Sequence, residues 1–514
     1  MKKIKTLLIL IFTNIAIISC SEEFLDERPT NYISIKDFEE SSVINPQLAT
    51  ASLNGIYNQM VTTYIGGTEQ QEDFGHKSFD IFSDLLSSDL AQVSGNYNRF
   101  VQHANLLWTV DPSIQLPNFT AWRFYYTIIK SANLIIAGTG GNDAIPQTDA
   151  LKSVLGQAKA LRAFAYFYLS QFYALEYEAN EEILPIYTLP GQNAQPKSKM
   201  SEVYNLMIND LNSAIDLLSS YSRPNKNYIN KNVAKGLLAY VYSSMGQSDT
   251  NILAKNLANE IINSGEFTLM TSGEVTGGFT KLTTPGWMWG FDLTPANGLG
   301  LISWHGFMDF FSYSYQAVGN NRSIDKGLYD QIAPNDIRKQ QFGNPVKIGT
   351  PQDPNEFKGF NVGEAPLIPA RKFYNLDLRK FGQAVIEDDY IYMRVAEMYL
   401  LSAEMAAVEG EELEAKNTLK QLLSQRFEDA ADYAYVDGLS GQNLIDEIIF
   451  QTKIELIAEG KSYLLMKRRK LTNTRGANHL NRAGESFMYN DPRLTFSIPQ
   501  DELINNPFIS TPNK

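Results

Sequence analysis

Cysteine and histidine are scarce in this chain of 514 residues. Its one cysteine, Cys20, has no partner for a disulfide within the chain, and four histidines leave little material for a zinc site. Gly-x-Ser-x-Gly and His-Glu-x-x-His motifs are also missing from the sequence. These absences argue against a disulfide-stabilised fold, against a metal site or cofactor and against the common hydrolase classes.

Basic residues are in deficit as well. The chain carries 44 Lys and Arg against 57 Asp and Glu, a net charge of −13. Removal of Lys2, Lys3 and Lys5 with a leader would take the net charge to −16. Such a surface repels the phosphates of nucleic acids. We therefore exclude nucleic acid as a partner.

The remaining enzyme-like motifs are weak. Gly460-Lys461-Ser462 imitates the end of a phosphate-binding loop, but Glu455 stands where that loop needs its first glycine. Adjacent acids such as Asp388-Asp389 are usually a solvated helix start rather than a catalytic pair. The sequence therefore predicts a protein that is not an enzyme and has no catalytic residues.

The N-terminus has the pattern of a secretory leader. Basic residues precede an apolar run from Leu7 to Ile18 that is too short to span a membrane comfortably. Ile17-Ile18-Ser19-Cys20 resembles a bacterial lipobox, which predicts a signal peptide over residues 1–19 and lipidation of Cys20, with chains such as palmitate. Each buried CH₂ would contribute about 0.8 kcal/mol to membrane anchoring. A leader cleaved at an ordinary small residue is the alternative.

The stretch from Gln157 to Ala174 is predicted to be the central helix of the fold. Its large apolar residues recur at helical spacing, and alanines form a second, small-residue face. A helix that is apolar nearly all round is buried between neighbours on both sides. Small residues allow a partner helix to approach closely, as in stacked helix pairs of tetratricopeptide type.

Further helix pairs are predicted along the chain. One pair spans Asn230 to Gly246 and Ile252 to Gly265, and another lies within Tyr390 to Arg426. In the second pair, Gly410 and Ala415 have the spacing of the turn glycine and second-helix alanine of a tetratricopeptide repeat. The predicted fold is mostly α: a tetratricopeptide-like paired-helix scaffold with a loop-rich, aromatic insert and few short strands.

The insert is the densest aromatic region. Ten of the 37 residues from Phe279 to Tyr315 are aromatic, against 12% for the whole chain. Core packing is the commoner role for any single ring, but rigid aromatic rings on loops are also typical of binding surfaces. The irregular, polar-aromatic segment from Gln70 to Asp111, here called the early loop, is a second region where binding residues gather. The predicted ligand-binding residues combine the insert with this loop: Trp287, Trp289, Trp304, Phe310, Tyr313, Tyr315, Asp84, Asn96 and Tyr97. The nearby polar candidates are Asn297, Asp309, Gln316, Asn320 and Arg322.

Several segments resemble the SusD/RagB family. Phe24 to Pro29 looks like the start of a mature member, and Asp389 to Leu400 closely resembles the family's signature helix. Lys453 to Gly460 resembles its Glu-Leu-x-x-Glu-Gly helix, although Gln451 and Lys453 replace the usual Glu and Arg. Ile498 to Glu502 and Asn506-Pro507 match the closing segment. The resemblance covers nearly the whole mature chain.

The resemblance implies a function and a location. It implies a lipid-anchored outer-membrane protein that captures glycans and passes them to a SusC-like TonB-dependent transporter for nutrient uptake. Ser21-Glu22-Glu23 resembles the acidic signal that sends lipoproteins to the cell exterior, although a solvated tether is equally consistent with it. Peptide binding, as in RagB-like members, is the alternative function, and a glycan-processing enzyme is a less favoured one. An N-terminal SusD-like region is expected over 20–230 and a RagB/SusD region over 231–514, with the insert at 266–388.

Overall fold

Helices dominate the computed structural model, which describes residues 37, 40–42, 45–343, 367–373 and 384–513. The predicted leader and Cys20 lie outside these residues. Within them, no helix has both the length and the apolar character needed to cross a bilayer. The longer helices are α1 (Pro46–Gln59), α2 (His76–Leu86), α3 (Thr120–Gly138), α4 (Asp149–Tyr173), α5 (Met200–Leu217), α6 (Lys231–Met245), α7 (Ser248–Ile262), α8 (Val395–Val408), α9 (Glu412–Leu423), α10 (Gly441–Leu456) and α11 (Ser462–Arg468).

The predicted central helix is α4, and it begins eight residues earlier than expected. Thr148 caps it by accepting a hydrogen bond from the backbone N–H of Leu151. Nearly every residue from Leu151 to Tyr173 is buried, as the apolar pattern on all sides predicts. The helix ends at Tyr173 because Ala174 adopts an extended conformation.

Successive helices pack as neighbours. α4 packs against α3 and α5, α5 against α6, α6 against α7, and α7 against α8, which also contacts α9 and α10. Ala239, Ala254 and Leu401 meet in a small cluster that joins α6, α7 and α8. Gly410 has a φ of +79° in the turn between α8 and α9. The tetratricopeptide-like scaffold is confirmed, because the helices from α3 to α9 pack consecutively in chain order.

Short antiparallel pairs of strands supplement the scaffold. The strands are β1 (Leu90–Gln92), β2 (Glu182–Pro185), β3 (Lys197–Lys199), β4 (Trp287–Phe291), β5 (Arg322–Ile324), β6 (Tyr390–Arg394), β7 (Thr472–Thr474) and β8 (Ser486–Met488). They pair as β1 with β5, β2 with β3, β4 with β6, and β7 with β8. The β1–β5 pair joins residues more than 200 positions apart and brings the early loop to the aromatic insert.

The segment from Tyr390 to Arg394 is a strand, so the prediction of one continuous signature helix is wrong. Its residues pair with Trp287–Phe291, and the helix starts only at Val395. Arg394 and Glu397 meet through the backbone of Arg394 rather than through their charges. The Glu397 carboxylate accepts the backbone N–H of Arg394 at 2.8 Å, as a helix cap does. The Arg394 guanidinium reaches Glu455 at 2.5 Å and Glu459 at 2.8 Å instead.

Candidate functional site

The three tryptophans of the insert are buried, so the prediction that they form a binding surface is wrong. Trp287, Trp289 and Trp304 are 0%, 1% and 1% exposed. Trp287 and Trp289 lie on β4, whose every residue is buried. Trp304 begins a short helix, Trp304–Met308, and its ring contacts that of Phe373 with the centroids 4.6 Å apart.

The strand pairing explains this burial. β6 covers the edge of β4, and the Trp289 ring lies 5.3 Å from Phe164 of α4 and 4.9 Å from Tyr392 of β6. Its indole Nε1 donates to the carbonyl of Asn227 at 3.0 Å. The alternating Trp-Met-Trp pattern thus belongs to a strand with both faces covered.

Two other predicted site residues, Phe310 and Asp84, are also buried in the interior. Phe310 is 1% exposed, and Asp84 is 0% exposed with a carboxylate oxygen that accepts the backbone N–H of Gly460 at 3.1 Å. Burial, together with the charges of Asp80 and Asp89, raises the pKa of Asp84 well above its usual value. A buried carboxyl of this kind cannot contact an external ligand, so both predictions are wrong.

The polar candidates mostly hold the insert together. Asp309 accepts the backbone N–H of Phe311 at 2.8 Å, and burial raises its pKa to about 7. Gln316 bridges to Arg322 through both the backbone N–H and the carbonyl of that residue, each at 2.8 Å. Asn297 caps a short turn by accepting the N–H of Thr294. Buried Asp309, Gln316, Asn320 and Arg322 are therefore structural.

Of the remaining predicted residues, Asn96, Tyr97 and Tyr313 reach the surface, and Tyr315 lies buried beneath Tyr97. Tyr97 is 66% exposed, Tyr313 is 52% exposed and Asn96 is exposed. Tyr315 is 6% exposed and touches Tyr97 edge to face, with ring centroids 5.5 Å apart. Tyr313 precedes Tyr315 by two residues, a span of at most about 7 Å. We call Asn96, Tyr97, Tyr313 and Tyr315 the tyrosine patch.

A column of aromatic rings supports the patch from below. Phe74 stacks on Phe307 with centroids 5.4 Å apart, and Phe307 stacks on Tyr315 at 5.0 Å. Tyr97 lies at the top of this column, and the exposure rises from 1% at Phe74 to 66% at Tyr97. The column anchors the exposed ring on the protein core, so that the ring is held rigidly.

Hydrogen bonds continue the β1–β5 ladder up to the patch. The Ser94 hydroxyl donates to Gly319 O at 2.8 Å and accepts the backbone N–H of Asn321 at 2.9 Å. Asn96 donates to Gly319 O through its backbone N–H at 3.2 Å and to Val318 O through its side chain at 3.1 Å. The early loop and the insert therefore form one unit at this end of the ladder.

Buried Arg322 joins the early loop to the insert. Its guanidinium is 0% exposed and donates to the carbonyl oxygens of Phe307 at 2.8 Å and Arg99 at 3.3 Å. It also lies 4.9 Å from the centre of the Phe100 ring. Burial lowers the pKa of Arg322 to about 9, which still leaves it charged at neutral pH. The predicted ligand residue is thus a positioning residue.

The backbone of the early loop is strained. Tyr97, Asn98 and Phe100 have φ values of +67°, +56° and +58°, a left-handed region that costs roughly 1–2 kcal/mol for a residue with a side chain. Strain of this kind persists only when surrounding contacts determine the conformation, and it concentrates at functional sites. The Ser94, Asn96 and Arg322 contacts supply that support.

Three residues of the site were missed from the sequence. The Tyr315 hydroxyl donates to Gln71, the Arg99 guanidinium lies 5.6 Å from the centre of the Tyr315 ring, and Arg99 pairs with Glu72 at 3.2 Å. Their one signal was membership of a polar-aromatic segment, Gln70 to Asp111. That signal does not single out individual residues.

The patch offers exposed aromatic rings bordered by amide and charged groups. This arrangement can bind a ligand with flat apolar faces and hydrogen-bonding edges, because rings supply contact area and amides supply direction. The paired-helix scaffold carries this surface at one end of the β1–β5 ladder.

Two family models place the chain in a known family. Residues 23–243 match the model described as "Starch-binding associating with outer membrane", and residues 314–507 match the SusD family model. The chain belongs to the SusD/RagB family.

Individual relatives agree with this assignment. A SusD-like protein of Bacteroides ovatus is 26% identical over 284 residues, which are 52% of this chain and 46% of the relative. The chain thus matches about half the length of that curated relative. A SusD-like carbohydrate-binding protein of Bacteroides vulgatus has the same fold, with a TM-score of 0.72, 22% identity and coverage of 90% of this chain and 96% of that one.

A third similar structure carries a glycan. Surface glycan-binding protein A of Bacteroides thetaiotaomicron, in complex with laminarihexaose, aligns with a TM-score of 0.66 and 17% identity over 91% of this chain and 99% of that one. At this identity the similarity establishes the fold alone.

Proposed function

We propose that this protein is a lipid-anchored outer-membrane protein that binds oligo- or polysaccharides at the cell surface through the tyrosine patch. It then delivers them to a SusC-like TonB-dependent transporter for uptake. The observation that carries the binding proposal is the aromatic column, which holds Tyr97 two-thirds exposed above rings anchored in the core.

The chemistry of the patch suits a sugar. Pyranose rings present apolar C–H faces that stack on aromatic rings, and their hydroxyls need polar partners. Tyr97 and Tyr313 supply exposed rings, while Asn96, Gln71 and the Arg99–Glu72 pair supply amide and charged groups beside them. Because Arg99 is already paired with Glu72, the patch favours a neutral glycan over an anionic one.

The relatives support the same conclusion. One family model carries a starch-binding description, and a protein of the same fold was solved with laminarihexaose bound. Because a shared fold can bind different ligands, a panel of polysaccharides identifies the glycan.

Location and partner rest on the N-terminal sequence and the family. The lipobox-like segment ending at Cys20 supports a lipid anchor. The acidic residues that follow it support a location on the exterior face of the outer membrane. Membership of the SusD/RagB family supports a SusC-like transporter as the partner. The surface role proposed here is one of binding without catalysis.

Affinity gel electrophoresis tests the binding proposal. The mature protein is run through gels that each contain one polysaccharide, with laminarin and starch among them, and its migration is compared with that in a gel without glycan. We expect at least one neutral polysaccharide to retard the protein. If none does, and a peptide pool protects the protein against thermal unfolding instead, the glycan proposal is wrong and peptide is the cargo.

Two further experiments test location and partner. Protease added to intact cells should degrade the protein if it faces the exterior, and replacing Cys20 with Ala should release it from membranes. Affinity purification from detergent-solubilised membranes should recover a large TonB-dependent transporter. Purification of the protein without such a transporter would contradict the proposed delivery step.

A further inference from the structure

A pocket lies at the opposite end of the β1–β5 ladder from the tyrosine patch. The ladder pairs Gln92 with Arg322 at the patch end and Leu90 with Ile324 at the other. Just beyond the second end, the N–H of Asp325 donates to the carbonyl of Asp89 at 2.8 Å. The pocket there has a volume of about 490 Å³, within the range of small-molecule sites. We call it the ladder-end pocket.

The polar wall of this pocket is built around Lys453. Its ammonium donates to Asp89 at 3.0 Å and to Asn473 at 2.9 Å, which uses two of its three N–H groups. Asn473 is fixed in turn because its amide donates to the carbonyl of Ser87 at 2.7 Å. The donor and the two acceptors are therefore held in place before any ligand arrives.

Hydrogen-bonding capacity at this wall is left over. The second carboxylate oxygen of Asp89 and the hydroxyl of Ser88 are buried and have no hydrogen-bond partner among the described residues. Ser88 also has a φ of +70°, an unfavourable conformation for a residue with a side chain. Unpaired buried polar atoms cost free energy unless a partner is supplied, and they call for an explanation in a native structure.

The charged groups of the lining already have hydrogen-bond partners within the protein. Asp89 accepts from Lys453, and Asp325 accepts the backbone N–H of Gly476 at 2.6 Å. Asp446 accepts from Gln442 at 2.7 Å, and Arg475 donates to the carbonyl of Asn481 at 3.1 Å. A cation at Asp89 would meet the Lys453 ammonium, and an anion at Lys453 would meet the Asp89 carboxylate. The site therefore selects against ions and in favour of a neutral ligand that both donates and accepts hydrogen bonds.

The rest of the lining mixes apolar and polar side chains. Phe450 and Ile449 of α10 and Leu471 are half-buried in it, and Thr472 is exposed at its edge beside polar groups such as Gln331 and Asp446. An apolar surface that lies among hydrogen-bonding groups complements a molecule with a C–H face and several hydroxyls. Neutral monosaccharides have this chemistry.

We propose that the ladder-end pocket binds a single neutral sugar unit, independently of the tyrosine patch. The hydroxyls of the sugar pair with Asp89, Ser88, the third N–H of Lys453 and the Thr472 hydroxyl, and its C–H face lies against Phe450. This gives the protein a second sugar contact, at the other end of the β1–β5 ladder.

The test uses a methyl group of the pocket as a reporter. Isoleucine δ1 methyls of the mature protein are labelled with ¹³C, and the Ile449 signal is assigned by its loss in Ile449→Val. The protein is then titrated with D-glucose, D-galactose, D-mannose, D-xylose and N-acetyl-D-glucosamine, each separately. We expect the Ile449 signal to shift with at least one sugar, with a dissociation constant in the millimolar range or tighter.

Variants locate the binding. Lys453→Met and Thr472→Val should each weaken the titration of Ile449, by roughly tenfold or more for Lys453→Met, the size expected for a lost hydrogen bond to a charged donor. Thr472→Val changes only an exposed hydroxyl, so it remains informative if Lys453→Met fails to fold. Lys420→Met, on α9 outside the pocket, is the matched control and should leave the titration unchanged.

The outcome separates this proposal from the proposed function. Tyr97→Ala combined with Tyr313→Ala should abolish retention by polysaccharide and leave the Ile449 titration intact. The ladder-end site is overturned if the Ile449 signal does not shift with any sugar. It is also overturned if Thr472→Val and Lys453→Met both leave the titration unchanged. Neither result bears on the tyrosine patch, which the tyrosine variants test.

Discussion

The ring of Tyr97 meets the ring of Tyr315 edge to face, with centroids 5.5 Å apart and planes inclined at 66°. These residues are 218 positions apart in the sequence, and the β1–β5 ladder brings them together. Tyr315 is held from below by Phe307, so Tyr97 is supported by buried rings rather than by a loose loop. The contact converts a surface loop into a rigid platform.

Tyr313→Ala should weaken glycan binding roughly tenfold or more, because loss of an aromatic stacking face costs about 1–3 kcal/mol. Tyr313→Phe should retain most of the affinity, since the ring face is preserved. Isothermal titration calorimetry with the retained glycan measures both. Tyr435→Ala is the matched control: this tyrosine is 44% exposed on another surface, and its loss should leave affinity unchanged. Equal losses for Phe and Ala at position 313 would contradict stacking.

Trp289→Ala should destabilise the fold by about 3–5 kcal/mol, because the ring is 1% exposed and packed between α4 and β6. Urea unfolding followed by circular dichroism measures this loss. Tyr313→Ala, at an exposed position, should stay within about 0.5 kcal/mol of the unsubstituted protein. An unchanged urea midpoint for Trp289→Ala would mean that the ring is not part of the core.

This contrast shows what aromatic density in a sequence can and cannot reveal. The spacing of apolar residues in Gln157 to Ala174 was sufficient to predict α4, because helical burial repeats locally along the chain. The exposure of Trp289 was not predictable, because it depends on β6, about 100 residues away, covering the edge of β4. Tyr313 was predicted for the same reason as the tryptophans, and only the tertiary structure separates it from them.

The polar border of the site was even harder to predict. Gln71 and Arg99 act through Tyr315, which lies more than 200 residues further along the chain. Arg322 was predicted to be a ligand residue, but its guanidinium is enclosed by backbone carbonyls of the two loops. The residue type of Arg322 thus predicted the correct region of the molecule but the wrong role for its side chain.

Arg322→Lys should loosen the patch while preserving charge, because an ammonium cannot reach the carbonyls of both Phe307 and Arg99 with the geometry of a planar guanidinium. Each lost bond to the charged group is worth about 1.5–3 kcal/mol. Hydrogen–deuterium exchange over residues 93–100 should accelerate. Arg482→Lys is the control, since Arg482 also donates to a carbonyl, that of Asn105, at 2.8 Å, but lies at the surface. If hydrogen–deuterium exchange over residues 93–100 is unchanged in Arg322→Lys, Arg322 does not position the patch.

His103 should make the fold sensitive to mild acid. Burial lowers the pKa of His103 to about 3, whereas the unfolded chain takes up a proton near pH 6.5. The unfolded state therefore binds more protons between these values, and stability falls as pH decreases through this window, by about 1.4 kcal/mol per pH unit from this residue.

The measurement is the difference in unfolding free energy between the unsubstituted protein and His103→Leu. Leucine fits the apolar surroundings of Phe82 and Trp108, whose ring centroids lie 4.5 Å and 5.1 Å from the imidazole. The variant should gain relative stability steadily below pH 6.5. A difference that is constant with pH would show that His103 does not titrate in this way.

The most direct test of the account is a calorimetric titration of the retained oligosaccharide into the mature protein and into the Tyr97→Ala, Tyr313→Ala double variant. We predict that the double variant binds the oligosaccharide roughly a hundredfold more weakly than the unsubstituted protein, because two stacking faces are lost, and that both proteins have equal melting temperatures. Undiminished affinity in the folded double variant would show that the glycan binds elsewhere and would contradict the tyrosine patch as the binding site.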